Sequence, residues 1–184
     1  MYDGAARPDD MDSKVMRDWI NVEIGDREAK RFENRMAEKL QALGLTVHAG
    51  LEMSALGIDT NKKDFGDIDV LAYDAQSGLS YVIECKNFQM RKTPGELGER
   101  LSNFRGLVNE KGKADLLRKH LNRVDLIRGN QSKLAKFLGV DKISEVRSVI
   151  LFPTPSPLLY SDDVKKLADI LHEDILEAYF KENG

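Results

Sequence analysis

Four charged side chains with the chemistry of a metal-ion site lie close together in the sequence. Asp67 and Asp69 belong to one short segment of strand-forming residues, and Glu84 and Lys86 belong to the next. Burying such charges beside apolar neighbours costs several kcal/mol per ion unless a partner compensates them. Carboxylate oxygens are hard ligands that suit Mg²⁺ or Mn²⁺. This grouping therefore predicts carboxylates that hold a divalent cation next to an ammonium group.

The two segments, residues 66–73 and 81–86, are predicted to pair as a β-hairpin. Both are rich in apolar, β-favouring residues, and the turn-forming stretch Asp74–Gly78 separates them. A turn centred in that stretch sets Asp69 opposite Ile83 or Glu84. The two carboxylates are then expected to meet at the open end of the hairpin, with Glu84 and Lys86 on the same face.

An aspartate on one strand followed by Glu84-Cys85-Lys86 on its partner, with an acidic helix upstream, resembles the PD-(D/E)xK nuclease superfamily. The resemblance covers residues 26–90 and extends beyond them only through the order of the secondary-structure elements. The proline that gives the motif its name is missing, because Ile68 precedes Asp69. The sequence leaves open whether Asp67 or Asp69 is the principal ligand, and the hairpin register favours Asp69.

The resemblance implies phosphodiester hydrolysis on a restriction-endonuclease-like fold, assisted by Mg²⁺ or by Mn²⁺. Asp69 and Glu84 would bind the metal with the backbone carbonyl of Cys85, and Lys86 would lie near the attacking water or the developing negative charge. The same resemblance makes Glu33, an acid on the first long helix, a further candidate ligand. Asp67 would be a second ligand or a neighbour of the first, and its structural alternative is a residue that accepts backbone hydrogen bonds.

The remaining patterns predict one α/β domain, a mixed sheet with a central hairpin flanked by helices in three layers. We expect a disordered segment over residues 1–11, the domain over 12–184, and a basic helical insertion over 107–142. A strand is predicted over 146–152, and a single helix from Ser161 to Tyr179.

Charge is unevenly distributed along the chain. Residues 86–147 hold 15 Lys and Arg against 7 Asp and Glu, although the whole chain has a net charge of −3. Clustered cations release counterions from a polyanion, so this segment is a candidate nucleic-acid surface, although solvated helix faces would look the same. The candidate contacts to nucleic acid, DNA rather than RNA by preference, are Lys62, Lys63, Gln89, Arg91, Lys92, Arg100, Arg118, Lys119 and Arg123.

Composition and motif content limit the classes of protein to which the chain could belong. A hydrophobic fraction of 41% without a long apolar run, a single cysteine and no export signal predict a cytoplasmic protein that does not span a membrane. A catalytically inert nuclease-fold module that binds nucleic acid or a protein is the main alternative. An unrelated α/β enzyme would need a phosphate loop or nucleophile motif, and none is present. A small domain without an evident reader element is expected to depend on a homodimer or a partner for specificity.

Overall fold

The computed structural model describes residues 14–60, 63–87, 95, 98 and 101–183. Its α-helices are α1 (Lys14–Ala42), α2 (Leu116–Arg128), α3 (Gln131–Leu138), α4 (Asp162–Lys165) and α5 (Leu176–Asn183). Its strands are β1 (Thr46–Leu51), β2 (Ile68–Tyr73), β3 (Leu79–Cys85), β4 (Glu145–Phe152) and β5 (Asp169–His172). Short 3-10 turns cover Met53–Leu56, Pro157–Tyr160 and Glu173–Ile175.

The five strands form one mixed sheet in the order β1-β2-β3-β4-β5. The pairs β1/β2 and β2/β3 are antiparallel, whereas β3/β4 and β4/β5 are parallel. All seven residues of β3 are buried, as expected for the middle strand of a sheet covered on both faces. The predicted fold class, a mixed sheet between helices, is confirmed.

Helices cover both faces of the sheet. On one face, Phe32, Met36 and Leu40 of α1 and Phe180 of α5 pack in one apolar cluster with Tyr81 and other sheet residues. The other face is covered by α2 and α3, whose buried residues include Leu117, Leu121, Val124, Ile127 and Leu134. The result is a three-layer core with β3 at its centre.

The segment expected as a helical insertion, residues 107–142, contains α2 and α3, which pack on the sheet. A parallel connection from β3 to β4 must cross one face of the sheet, and α2 and α3 lie within that crossover. Their apolar stripes are buried on the sheet and do not form a separate appendage. The expected disorder of residues 1–11 concerns residues outside the described part of the chain.

The single helix predicted from Ser161 to Tyr179 is wrong. The structure has α4, then strand β5, then α5 in this region. Val164, Ile170 and Leu171 are all buried, and with Leu167 and Ile175 they recur at the three- and four-residue steps of one helix face. Residues 169–172 instead form a strand because they pair with the edge of β4. This is a tertiary contact that the spacing of apolar residues does not predict.

No helix in the described part of the chain has the length and apolar character needed to cross a membrane.

Candidate functional site

The β2–β3 hairpin positions the two central carboxylates. Val70 lies opposite Ile83 and Tyr73 opposite Ser80, which is the predicted register. The turn is closed by the amide of Gly78, which donates to the Asp74 carbonyl at 2.9 Å. Gly78 has a φ of +72°, a left-handed conformation that favours glycine. This pairing carries Asp69 and Glu84 to the open end of the hairpin, as the sequence predicted.

Asp69 is tied directly to the strand that carries Glu84. Its Oδ2 accepts a hydrogen bond from the backbone amide of Cys85 at 2.8 Å. Burial, and next to it the negative charge of Glu84, raise the pKa of Asp69 to about 6, although Lys86 and the Cys85 amide act in the opposite direction. Two neighbouring carboxylates that are shielded from solvent repel each other when both are ionised, and a nearby cation stabilises the ionised forms.

Glu84 is buried, and each of its oxygens has a cationic partner. Oε1 lies 2.6 Å from Nζ of Lys86, and Oε2 lies 2.8 Å from Nη1 of Arg123. Burial opposes ionisation of Glu84 most strongly, but His120, Lys86 and Arg123 together hold its pKa well below the usual range. Glu84 is therefore an anion in the folded protein at neutral pH.

Helix α2 supplies two of the groups around Glu84. The side chain of Arg123 is 8% exposed, and its Nε donates to the carbonyl of Phe65 at 2.9 Å. His120, one turn earlier, is fully buried, with Nε2 3.1 Å from Oγ of Ser148 and Nδ1 3.5 Å from Oε2 of Glu84. Burial lowers the pKa of His120 despite the nearby carboxylate. His120 is therefore a buried partner of Glu84 and Ser148 and not a surface contact, although it lies in the basic segment that the sequence suggested as a nucleic-acid surface.

The other two candidate acids lie at the margin of the site. Glu33 pairs with Lys30 of the same helix, with 2.8 Å between Nζ and Oε2, and its charge adds to the effects that raise the pKa of Asp69. Asp67 is exposed at the start of the hairpin. The hydrogen bond to Glu33, with the charges of Asp69 and Asp67, raises the pKa of Lys30 against the effect of its partial burial.

An open cleft of about 470 Å³ leads to Glu84. Its walls come from the loop before β2, from α2 and from the segment that precedes α2. The lining residues are Lys63, Asp64, Phe65, Gly66, Glu84, Ala114, Leu116, Lys119, Asn122 and Arg123.

The candidate nucleic-acid contacts fall into three groups. Lys63 and Lys119 are exposed and line the cleft. Arg118 donates through Nε to the Gly106 carbonyl at 2.7 Å, and Arg123 is engaged with Glu84, so both make contacts within the protein. Five further candidates, Lys62, Gln89, Arg91, Lys92 and Arg100, lie outside the described residues.

The donors at the hairpin end fit Mg²⁺ or Mn²⁺ in kind. The fit is carried by two neighbouring carboxylates, Asp69 and Glu84, and by the position of Asp69, where partial burial and the charge of Glu84 raise its pKa. Within the described ranges no three His, Cys, Asp or Glu side chains form a ready metal-ion cluster. Mg²⁺ is commonly held by only one or two protein carboxylates and keeps several waters. Two carboxylates are therefore compatible in number with the protein ligands that Mg²⁺ commonly takes.

Comparison with known protein families shows to which family the chain belongs. A family model described as "Anti-phage protein Upx-like" matches residues 3–174. The chain belongs to this Upx-like family. No curated protein and no solved structure matches the sequence.

His120, Arg123 and Ser148 of this Upx-like protein were missed as groups around Glu84, although the sequence contains a signal for them. His120 and Arg123 alternate with the buried positions Leu117, Leu121 and Val124 of α2, so they border the apolar stripe of that helix. Ser148 stands within the apolar run of β4. Polar residues inside such patterns are buried with partners: here Arg123 and His120 contact Glu84, and Ser148 contacts His120.

Proposed function

We propose that this Upx-like protein is a metal-dependent nuclease that hydrolyses phosphodiester bonds, with DNA as the favoured substrate, and that this activity underlies its anti-phage role. The observation that carries the proposal is the junction of Asp69 with the Glu84-Cys85-Lys86 strand end. There, one carboxylate is bound to the Cys85 amide and the other to the Lys86 ammonium. The resemblance of these residues to the PD-(D/E)xK motif supports the same activity.

Asp69 and Glu84, with the Cys85 carbonyl, would hold Mg²⁺ or Mn²⁺, and Glu33 is close enough to add to the negative field. A divalent cation in such a site polarises the phosphate and lowers the pKa of bound water. Lys86 keeps its positive charge, because the attraction of Glu84 and Asp69 outweighs the burial that lowers its pKa. Its ammonium would stabilise negative charge that develops on a phosphate bound in the cleft.

The cations of the cleft suit a phosphate backbone. Glu84 is a buried lining residue, and Lys63 and Lys119 are exposed lining residues. Cations in this position attract a polyanion and set its register relative to the carboxylates without reading bases. A second copy of the chain or a partner protein would supply the specificity that these contacts lack.

A second candidate function, an inert module that binds nucleic acid, is favoured by one observation. Both oxygens of Glu84 already have cationic partners at 2.6 Å and 2.8 Å. Because each oxygen has two lone pairs, a metal ion that binds Glu84 must share an oxygen with Lys86 or Arg123 or take it in exchange for one of them. A protein in which neither occurs would bind DNA and leave it intact.

The test is cleavage of supercoiled plasmid, linear duplex, single-stranded DNA, branched DNA and RNA with Mg²⁺, Mn²⁺ or EDTA. The variants are Glu84→Gln, which keeps the shape of the side chain, and Lys86→Met, which removes the ammonium beside Oε1 of Glu84 and keeps the apolar stem. The matched controls are Glu38→Gln and Lys136→Met, which remove the same charges from exposed helical positions.

Metal-dependent cutting that both site variants lose and both controls keep supports the nuclease. Salt-sensitive binding of DNA without cutting, unchanged in the site variants, supports the inert module instead. Cutting that persists in EDTA or in Glu84→Gln refutes the assignment of these residues. The melting temperature of each variant is measured first, so that loss of activity is read only from folded protein.

A further inference from the structure

Residues 107–115, which we call the finger, form a small hairpin beside the cleft. Val108 and Ala114 pair in an antiparallel bridge, and the amide of Asn109 donates to the Lys113 carbonyl at 2.9 Å. The amide of Gly112 closes the tip by donating to the Asn109 carbonyl at 2.9 Å. Gly112 has a φ of +74°, as a tight tip requires.

Side-chain hydrogen bonds hold the finger at its tip and at its base. At the tip, Oδ1 of Asn109 accepts from the amides of Lys111 and Lys113 at 3.0 Å and 2.9 Å. At the base, Oδ2 of Asp115 accepts from the amides of Arg105 and Leu107 at 3.1 Å and 2.9 Å. Such local bonds fix the backbone in one conformation without help from a core.

The finger presents large apolar side chains to solvent. Leu107 is 58% exposed, Val108 is 54% exposed, and the adjoining Leu116 is 40% exposed. A flexible loop would let these side chains pack onto the protein, whereas the hydrogen-bonded backbone of the finger holds them in solvent. Contiguous exposed apolar residues on an ordered element mark an interaction site.

The surroundings of the finger indicate what it contacts. Ala114 and Leu116 line the same cleft as Glu84, and Lys111 and Lys113 are exposed near the tip. Lysine is depleted at protein–protein interfaces, but lysines beside an apolar wedge are typical of proteins that enter a groove of duplex DNA. Among the exposed charges of the finger the two lysines outnumber the one acid, Glu110, and together with Lys119 on the cleft wall they favour nucleic acid as its occupant.

We propose that the finger inserts Leu107 and Val108 at a base step of duplex DNA, while Lys111 and Lys113 contact the flanking phosphates. Insertion partly unstacks the step and bends the duplex, which brings the backbone beside the finger into the cleft that leads to Glu84. The inference rests on the proposed function for its substrate class. It adds a structural preference for steps that unstack easily, such as pyrimidine–purine steps and mismatches.

The test measures binding and unstacking in EDTA, where no metal-dependent cutting takes place. A DNA duplex carries 2-aminopurine at a flexible step, and its fluorescence rises when the base unstacks. The finger variant Leu107→Ala/Val108→Ala is compared with the control Ile24→Ala/Tyr160→Ala, which truncates two other exposed apolar side chains, 47% and 85% exposed. A duplex of RNA and the variant Lys111→Gln/Lys113→Gln complete the set.

We expect the finger variant to bind DNA about tenfold more weakly, the loss expected when two half-buried apolar contacts are removed, and to abolish the fluorescence rise. Its salt dependence should equal that of the wild type, whereas the lysine variant should lower the salt slope by about 2. The control should behave as the wild type.

Unchanged binding and fluorescence in the finger variant would overturn the proposal. The same variant losing protection against phage while binding DNA normally would assign the finger to a protein partner. A response to RNA duplex alone would also overturn it. Because these readouts need no catalysis, a chain that unstacks DNA but never cuts it would refute the nuclease and keep the finger.

Discussion

Replacing Asp69 with asparagine should stabilise the protein at neutral pH. Raising the pKa of Asp69 from 3.8 to about 6 corresponds to about 3 kcal/mol, at about 1.4 kcal/mol per tenfold change in proton affinity. Solvent around this half-buried side chain lowers the expected gain to about 2 kcal/mol. For a chain of this length, that gain raises the melting temperature by roughly 4–8 °C. Asparagine keeps an oxygen that accepts from the Cys85 amide, so the hydrogen bond survives.

The sign of the effect follows from proton linkage. Because the folded protein holds the Asp69 proton more tightly than the unfolded chain does, the stability from Asp69 is present below about pH 4 and is lost as the pH rises to about 6. Asparagine does not titrate. The advantage of Asp69→Asn over the wild type should therefore be near zero at pH 4, grow up to pH 6, and stay constant above it.

The assay is urea unfolding of both proteins in EDTA from pH 4 to pH 8, followed by circular dichroism. Asp67→Asn is the matched control, because it removes the same charge from an exposed position two residues away and should change stability by less than about 0.5 kcal/mol. Equal gains at pH 4 and pH 8, or a loss of stability at pH 8, would refute the argument that Asp69 is destabilised by Glu84 and burial.

Two further predictions concern a buried ion pair and a turn. Arg123→Met should destabilise the protein by about 3–5 kcal/mol, because it removes one cation from the buried Glu84; adding Glu84→Gln should restore part of that loss, and additive losses in urea unfolding would count against direct coupling. Gly78→Ala should cost at least 1 kcal/mol, since φ is +72° and a Cβ would lie 2.5 Å from Oγ of Ser144. Gly44→Ala, at a φ of +91° with open space, separates backbone strain from this clash, and equal melting temperatures for the two variants would contradict the clash.

The hairpin and its two carboxylates could be predicted because the information is local. The turn residues, the alternation of the strands and the short separation of Asp69 from Glu84 fix the register without reference to the rest of the chain. The observed pairing of Val70 with Ile83 agrees with that expectation. Local patterns also located β4 correctly, since its apolar run leaves little choice of structure.

The features that could not be predicted from the sequence depend on contacts between residues that are far apart in the chain. β5 exists because Asp169–His172 pairs along the edge of β4, and the same residues satisfy a helical spacing. The role of α2 in covering the sheet follows from the parallel pairing of β3 with β4, which no local pattern encodes. The contacts of Glu84 with His120 and Arg123 depend on that crossover and were hidden for the same reason.

The crossover also explains why the two carboxylates have different pKa values. α2 brings Arg123 and His120 to Glu84, which is ionised, whereas Asp69, next to it, has a pKa raised to about 6. Pairs of acids whose pKa values differ in this way are typical of sites that transfer protons or bind cations. If Asp69 binds a divalent cation, its negative charge becomes favourable and the wild type gains stability with the logarithm of the Mg²⁺ concentration once that concentration exceeds Kd. The advantage of Asp69→Asn should then shrink or reverse in saturating Mg²⁺, and an advantage that is independent of Mg²⁺ would show that Asp69 binds none.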